Sequence, residues 1–492
     1  MSETWNPAPY QLKAVQWLLE RSAAALFLDP GLRKTSCTYA ALKVLKNEGL
    51  LDGAVIVAPL RPAQMVWPAE QKKWTEFGDL DVVLLHGPRK DKLVAEKHDV
   101  YVVNYEGLAW LTGKKHLRAL LKNKWVDTLV FDELSKMKHT RTARFKTIAP
   151  WLPKFRRRWG LTGSPAANGL MNLFGEVQAL DLGAAFGPYI TYFRARYFLP
   201  VGDYDWRIQP GAEQLIYDRI KPLALRMDAS DYLQLPKLLP PTVIKYDLPS
   251  AARKMYDELE EELVTLLMSG ERLTAPTASV VRGKLRQIAG GAVLRNEYDP
   301  ITGIKLRTKG DEWVLVHDEK LDALEALVDE LEGTQLLVGY EYIHDLERLL
   351  KRFGKDTPYI GGGVSLKKAL EIEAAWNAGE IPLLFGQPQS VGHGLNFQGS
   401  HAHHVAWFTL TDDYELYDQF IKRLLRSGNK ASRLFVYHFI ARNTTEEAVA
   451  ANLRRKAKGQ QGLFDAINEY LVGKYKSLAG LKNSLPKRKQ TG

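Results

Sequence analysis

Two short segments carry residue types that can handle a phosphate. Leu26-Phe27-Leu28-Asp29-Pro30-Gly31-Leu32-Arg33-Lys34-Thr35-Ser36 reads as a strand, a tight loop and the start of a helix. A phosphate loop needs backbone N–H groups converging on the anion at a helix N-terminus. It also needs a lysine for the β- and γ-phosphates and a hydroxyl for Mg2+. Lys34 and Thr35 have those types, and Gly31 permits a tight backbone. Glycine is favoured immediately before the lysine, where backbone approaches phosphate; this chain has Arg33 there. The second segment, Thr128-Leu129-Val130-Phe131-Asp132-Glu133, is an apolar run ending in two carboxylates. At the end of a parallel strand they would face the loop, Asp132 holding Mg2+ and Glu133 activating the attacking water.

Three further segments fit the same chemistry. Leu161-Thr162-Gly163-Ser164-Pro165 ends a strand in small hydroxyl residues, and Thr162 and Ser164 can relay nucleotide state by hydrogen bonds. Gln419-Phe420-Ile421-Lys422-Arg423-Leu424-Leu425-Arg426 sets two arginines at i, i+3 on one helix face. Guanidinium groups stabilise charge that develops during phosphoryl transfer. Gln389-Ser390-Val391-Gly392-His393-Gly394-Leu395-Asn396 is a glycine-containing loop suited to phosphates. His401, His403 and His404 lie close in sequence, but no carboxylate or cysteine partner stands at ligand spacing, so they are not read as a metal site.

The elements that must position these residues are legible as rhythm. Short apolar runs at Ala24–Leu28, Val55–Ala58, Val82–Leu85, Val100–Val103, Thr128–Phe131 and Trp159–Thr162 alternate with polar or helical stretches. Runs of this kind suit strands buried on both faces of a parallel sheet, in repeated βαβ units. From about Asn168 to Asp318 the rhythm is lost: Leu235-Pro236, Leu239-Pro240-Pro241 and Leu248-Pro249 interrupt it, and helices follow near 251–269 and 279–289. Alternation returns after Glu319, with strands expected at 335–340, 381–385, 404–408 and 434–438.

Composition sets outer bounds. The chain has 492 residues, 45% apolar and 25% charged, the balance of a folded chain. At about 150 residues per domain it holds about three domains, or two large α/β ones with an insert. No run of about 18 apolar residues occurs, so no membrane-spanning helix is expected. Met1-Ser2-Glu3-Thr4-Trp5 lacks the basic-then-apolar form of a secretion signal. Cys37 is the single cysteine, which excludes an intramolecular disulfide and fits a reducing compartment. Lys and Arg (68) exceed Asp and Glu (57), a net +11 that favours a polyanionic partner such as nucleic acid.

Taken in order, these segments resemble the Swi/Snf-type ATPases of helicase superfamily two, in the compact form of bacteriophage and bacterial members. Pro9-Tyr10-Gln11-Leu12 is similar to the adenine-reading glutamine segment, Asp29 to Thr35 to motif I, Val57-Ala58-Pro59 to motif Ia and Val103-Asn104-Tyr105-Glu106 to the following strand-end motif. Asp132-Glu133-Leu134-Ser135 is similar to motif II, Leu161 to Pro165 to motif III, Ser390 to Asn396 to motif V, and Gln419, Arg423, Arg426 and Gly428 to motif VI. Between motifs, Lys221 to Arg226 and Leu248-Pro249-Ser250 with Tyr256 resemble the family's crossing segment, and Thr444 to Glu447 its brace after motif VI. Two departures stand out: Arg33 for the motif I glycine and Ser135 for the histidine common in motif II.

The resemblance implies an α/β fold of two RecA-like parallel-sheet lobes joined by a mainly helical insert. The expected parts are lobe one at 1–167, insert and linker at 168–318, lobe two at 319–455 and a basic tail at 456–492. It implies ATP and Mg2+ as nucleotide and metal. Tyr10, Gln11, Asp29, Pro30, Gly31, Leu32, Arg33, Lys34, Thr35, Ser36, Gly394, Arg423 and Arg426 would bind ATP. Thr35 and Asp132 would hold Mg2+. Glu133, Asp132, Lys34, Arg423 and Arg426 would be catalytic, and Thr162, Ser164 and Gln419 would couple nucleotide state to motion. Arg61, Asn104, Tyr105, Ser390 and Asn396 would contact double-stranded DNA. The implied activity is a DNA-dependent ATPase that translocates on duplex and remodels DNA or protein–DNA complexes, as a cytoplasmic monomer in a bacterium or phage-infected host. Two alternatives stay open: a DNA-binding scaffold silenced by Arg33, and a strand-separating DNA or RNA helicase.

Overall fold

In the computed structural model the described residues are 2–113, 115–201, 205–268, 275–294, 313–392 and 394–476. His393 and the basic tail beyond 476 lie outside them.

The apolar runs of the first third become strands because both of their faces are covered. They are β1 (Ala23–Leu28), β2 (Ala54–Ala58), β3 (Val82–Leu84), β4 (Val100–Asn104), β5 (Thr128–Asp132) and β6 (Arg157–Thr162). Every residue of β2, β4 and β6 is buried. An antiparallel hairpin, β7 (Phe198–Val201) and β8 (Asp205–Ile208), follows, and then β9 (Ala224–Met227). The sheet runs β3-β4-β2-β5-β6-β1-β9, and its pairs are parallel. Register decides what this achieves. Phe27 pairs with Thr162 and Asp132 with Leu161, so the C-terminal ends of β1, β5 and β6 deliver the phosphate loop, the carboxylate pair and the hydroxyl segment to one sheet edge.

A second unit holds its own sheet. Its strands are β10 (Lys237–Leu238), β11 (Thr242–Tyr246), the antiparallel pair β12 (Ala292–Leu294) and β13 (Trp313–Leu315), then β14 (Leu336–Gly339), β15 (Tyr359–Ile360), β16 (Leu383–Gly386), β17 (His404–Trp407) and β18 (Arg433–Ala441). The order is β10-β18-β17-β14-β16-β15, with β11 also parallel to β18. Alternate residues of β14 feed two apolar cores. Leu337 packs with Trp376, Trp407 and Phe420, while Leu336 and Val338 pack with Tyr256, Leu285 and Phe439.

The chain divides at Gln234–Leu235, and the helix residues from Lys456 group with the first unit. The 168–318 segment is therefore shared between the units. β9 closes the edge of the first sheet, whereas β11 and the helices Ser250–Met268 and Ala275–Gly290 build the second. β10 and β11 were not legible because they are short and largely exposed, without a continuous apolar run. No helix of the described residues is long and apolar enough to cross a membrane.

Candidate nucleotide site

The loop after β1 is shaped by two left-handed residues. Gly31 sits at φ 95°, and Arg33, at φ 54° and ψ 47°, caps the helix Lys34–Asn47. Left-handed residues in a turn before a helix create a concave set of N–H groups, the geometry of an anion site. A Cβ on Gly31 would meet only Leu233 Cδ1 at 3.6 Å, so the need for glycine there is conformational. Lys34 Nζ donates to the carbonyls of Leu28 at 2.7 Å and Asp29 at 3.4 Å, which holds the ammonium over the end of β1. Thr35 is half-buried beside it. Arg33 is exposed, and its guanidinium lies 5.8 Å from the centroid of the Trp74 ring. A cation over an aromatic face is a favourable resting place outside the loop.

Other members of the expected ATP set face the protein. Leu32 is fully buried. Ser36 is buried, and its hydroxyl donates to Glu70. Asp29 is pinned from behind: Oδ1 accepts from Arg226 at 3.2 Å and Oδ2 from the Ala229 N–H at 3.1 Å. Arg226 is only 4% exposed and also donates to Phe27 O at 3.0 Å. Pro30 forms a wall against Gly163, where an added Cβ would meet Pro30 Cδ at 3.1 Å.

Gln11 and Tyr10 stand at the start of the helix Pro9–Leu19. Gln11 Oε1 accepts the Ala8 N–H at 2.8 Å, while its Nε2 is buried without a partner. A buried amide donor left unpaired costs about 1–3 kcal/mol unless a ligand completes it. The Tyr10 ring lies 4.7 Å from that of Tyr232. The unpaired amide donor of Gln11 and the adjacent Tyr10 are residue types that suit a purine base.

The carboxylate pair is held from three sides. Glu133 has φ 62°, a left-handed conformation that an L-residue keeps only where its surroundings impose it. Its Oε1 accepts from Thr162 Oγ1 at 2.9 Å and Ser135 Oγ at 3.0 Å. The serine that replaces a histidine thus reaches the same oxygen as the motif III threonine. Ser164 is buried, and its N–H donates to Thr162 Oγ1 at 3.2 Å. Asp132 Oδ2 accepts the indole N–H of Trp67 at 2.8 Å. Burial pushes the Asp132 carboxyl up to about 6, against the Trp67 hydrogen bond; Glu133 adds to the rise and Lys34 opposes it. A desolvated carboxylate with one oxygen engaged, within the field of Lys34, fits a Mg2+ ligand set completed by phosphate and water.

Of the expected nucleic-acid residues in this unit, Arg61 is half-buried, and burial holds its guanidinium below its ordinary value. Asn104 Nδ2 donates to Glu106 Oε2 at 2.8 Å. Tyr105 is 3% exposed, and its hydroxyl donates to the carbonyls of Asp132 at 2.9 Å and Glu133 at 3.0 Å. The structure thus makes it a brace for the carboxylate turn. The residues that sequence reasoning missed are Arg226, Trp67, Glu70 and Tyr232. Trp74 Nε1 donates to Glu70 Oε1 at 2.7 Å, so Glu70 ties the phosphate-loop helix to the helix Trp67–Lys73.

In the second unit the glycine loop and the arginine helix meet. Arg423, 7% exposed, donates to Leu395 O at 2.7 Å and to Gly392 O. Arg426 donates to Asn396 Oδ1, and burial holds its guanidinium down to about 10 despite Glu373 nearby. Gln419 is buried with Oε1 unpartnered, and a Cβ on Gly392 would meet that oxygen at 3.1 Å. Gly394 has φ 80°. Ser390 is half-buried and Asn396 exposed. His401, His403 and His404 do not converge on a common point: the described residues contain no cluster of three His, Cys, Asp or Glu able to hold a metal.

Comparison with known proteins gives matches along most of the chain. Residues 10–287 match the SNF2-related domain, and 319–428 match the helicase conserved C-terminal domain. The chain is similar to putative protein p41 of Acyrthosiphon pisum secondary endosymbiont phage 1, with 32% identity over 485 residues, 94% of this chain and 99% of the relative. It is also similar to the mouse DNA annealing helicase and endonuclease ZRANB3, with 27% identity over 92% of this chain and 40% of that protein. The chain thus spans well under half of that relative. A Sulfolobus solfataricus SWI2/SNF2 ATPase core solved in complex with dsDNA aligns over 98% of this chain and 97% of its own, at 19% identity and a TM-score of 0.42. With two parallel-sheet units, these motifs at their strand ends and both domain matches, the chain belongs to the SNF2-related family of helicase-like proteins.

Proposed function

We propose that the chain is an ATP-driven motor on double-stranded DNA, which couples hydrolysis to translocation and to remodelling of DNA or protein–DNA complexes. The carrying observation is Glu133, left-handed at the end of β5 with Oε1 oriented by Thr162 and Ser135. In that position it takes the proton of a water attacking the γ-phosphate. Lys34 neutralises phosphate charge, and the open amide of Gln11 reads the base beside Tyr10. Thr35 and Asp132 would hold Mg2+, which would supply charge neutralisation to the phosphates. Arg423 and Arg426 act on the charge that develops on the transferred phosphate. Duplex DNA is held through its phosphates, with Arg61, Asn104, Ser390 and Asn396 as contacts, and the net charge of +11 supports such a partner. Arg33, leaning on Trp74 outside the loop, favours turnover over silencing.

Steady-state ATP hydrolysis with and without duplex DNA, together with triplex displacement, tests this. Duplex stimulation is expected, and Glu133→Gln is expected to lower kcat by about 10²-fold or more. Hydrolysis absent here but restored in Arg33→Gly would instead make the chain a silenced DNA-binding scaffold.

A further inference from the structure

Exposed large apolar side chains are scattered over this protein except at one place. Tyr189 (61% exposed), Tyr192 (62%), Leu199 (48%), Val201 (42%) and Trp206 (37%) fall within 18 residues, against 14 more in the rest of the described chain. All five belong to the helix Ile190–Tyr197 with its preceding residue and to the β7–β8 hairpin.

The unit that carries them is firmly built. The helix Leu173–Asp181 lies flush on the turn after motif II, where a Cβ on Gly175 would meet Met137 O and Lys138 O at 2.4 Å. Phe193 is buried against Phe174 at 5.4 Å and Phe186 at 4.7 Å, and Tyr197 packs 5.2 Å from Phe193. Gln209 closes the hairpin base, its Nε2 donating to Phe198 O at 3.1 Å. The exposed rings are thus an outward face on an anchored base.

Arginines stand among these rings. Arg194 lies over Trp206 at 5.2 Å. Arg196 is exposed one helical turn from Tyr192, and Arg207 is exposed and faces Leu199 across the ladder. Tyr189 and Tyr192 meet edge to face at 5.7 Å. Between 189 and 207 the sequence holds three arginines against two acidic residues, Asp203 and Asp205. Rings interleaved with guanidinium groups, on a chain of net charge +11, match single-stranded nucleic acid, whose bases stack on rings while its phosphates meet arginine.

We propose that this helix and hairpin bind unpaired nucleotides, with bases stacking on Tyr189, Tyr192 and Trp206 and the backbone held by Arg194, Arg196 and Arg207. The contact rests on the duplex-motor reading above and goes beyond it, because a motor on blunt duplex has no use for it. With it, the chain prefers a junction where duplex opens into single strand.

The test compares a single-stranded oligonucleotide, a blunt duplex and a fork with 2-aminopurine in its single-stranded arm. The unaltered protein should bind the fork more tightly than the blunt duplex and change 2-aminopurine fluorescence. Tyr189→Ala/Tyr192→Ala and Trp206→Ala should each weaken single-strand and fork binding at least about fivefold, with loss of the fluorescence change. Tyr192→Phe, which keeps the ring, should retain both. Blunt-duplex binding and duplex-stimulated hydrolysis should not move. Equal fork and duplex affinity, or alanine variants that bind the fork as well as the unaltered chain, would overturn the stacking contact and leave the motor standing. Failure of the unaltered protein to bind any of the three would remove the motor reading and the contact together.

Discussion

The indole N–H of Trp67 donates to Asp132 Oδ2 at 2.8 Å across 65 residues of sequence. Trp67 is fully buried, its carbonyl accepts from the Tyr39 hydroxyl at 3.0 Å, and its ring meets that of Tyr39 at 5.1 Å. The metal-binding candidate is therefore oriented by a residue that is itself locked to the phosphate-loop helix. A hydrogen bond to an ionised group contributes about 1.5–3 kcal/mol. Trp67→Phe keeps most of the ring and removes the donor. We expect the Mg2+ concentration for half-maximal binding of a fluorescent nucleotide to rise about tenfold, with nucleotide binding in EDTA unchanged. An unchanged Mg2+ titration would show that Asp132 does not need the indole.

Arg226 and Asp29 form a buried pair at 3.2 Å, with Asp228 as a second carboxylate partner. Removing one member of such a pair strands the other charge away from water. Arg226→Ala is expected to lower unfolding free energy by about 3 kcal/mol, read as a shift of the urea midpoint, and to weaken nucleotide binding because Asp29 begins the phosphate loop. Arg226→Lys, with one point charge where a fork donates to Phe27 O and Asp29, should rescue only in part.

Arg33 holds φ 54°, a conformation that costs a non-glycine residue about 1 kcal/mol or more. Arg33→Gly relieves this but loses the Trp74 contact and adds chain entropy when unfolded. Stability within about 1 kcal/mol of the unaltered protein and nucleotide affinity within about twofold are expected. Arg33→Ala keeps the strain without the contact and should melt lower. A nucleotide affinity rising tenfold or more in Arg33→Gly would show that the guanidinium obstructs the loop.

The second unit should be acid-sensitive. His317, His404 and His438 are each held down to about 4 from an ordinary 6.5, in every case chiefly by burial. His438 Nε2 meets the Tyr417 hydroxyl at 2.9 Å, and His404 Nδ1 the Tyr437 hydroxyl at 3.0 Å. Between pH 6.5 and 4 the unfolded chain binds protons that the folded chain refuses, so stability falls as pH falls through that window. Glu341 and Glu373, whose carboxyls burial pushes up, work in the opposite sense as two groups against three. Unfolding free energy should drop on the order of 2 kcal/mol from pH 7 to pH 5, discounted for residual solvent screening. His438→Gln should flatten the slope seen by calorimetry; an unchanged slope would place the sensitivity elsewhere.

The sequence by itself determined β1 to β6 of the first sheet, β14, β16, β17 and β18 of the second, and the motifs at their ends. Strands buried on both faces must be nearly continuous apolar runs, and a loop that binds phosphate constrains residue types at neighbouring positions. Gln11, Lys34, Thr35, Asp132, Glu133 and Thr162 stood out as candidates for that reason, whereas the meeting of the glycine loop with Arg423 and Arg426 did not. Only the tertiary structure decided what holds them. Arg226 reaches Asp29 across 197 residues, and no local pattern marks that pairing. Nor does any periodicity separate Trp67, which reaches Asp132, from an ordinary core tryptophan. Tyr105 stands in a motif expected to meet nucleic acid, yet packing turned its hydroxyl onto the carboxylate turn. The division at Gln234–Leu235 came from β9, β10 and β11, short strands that exist because a longer neighbour supplies their ladder. Side-chain type and spacing are local and survive in one dimension; burial and long-range hydrogen bonds arise only when distant segments share a volume.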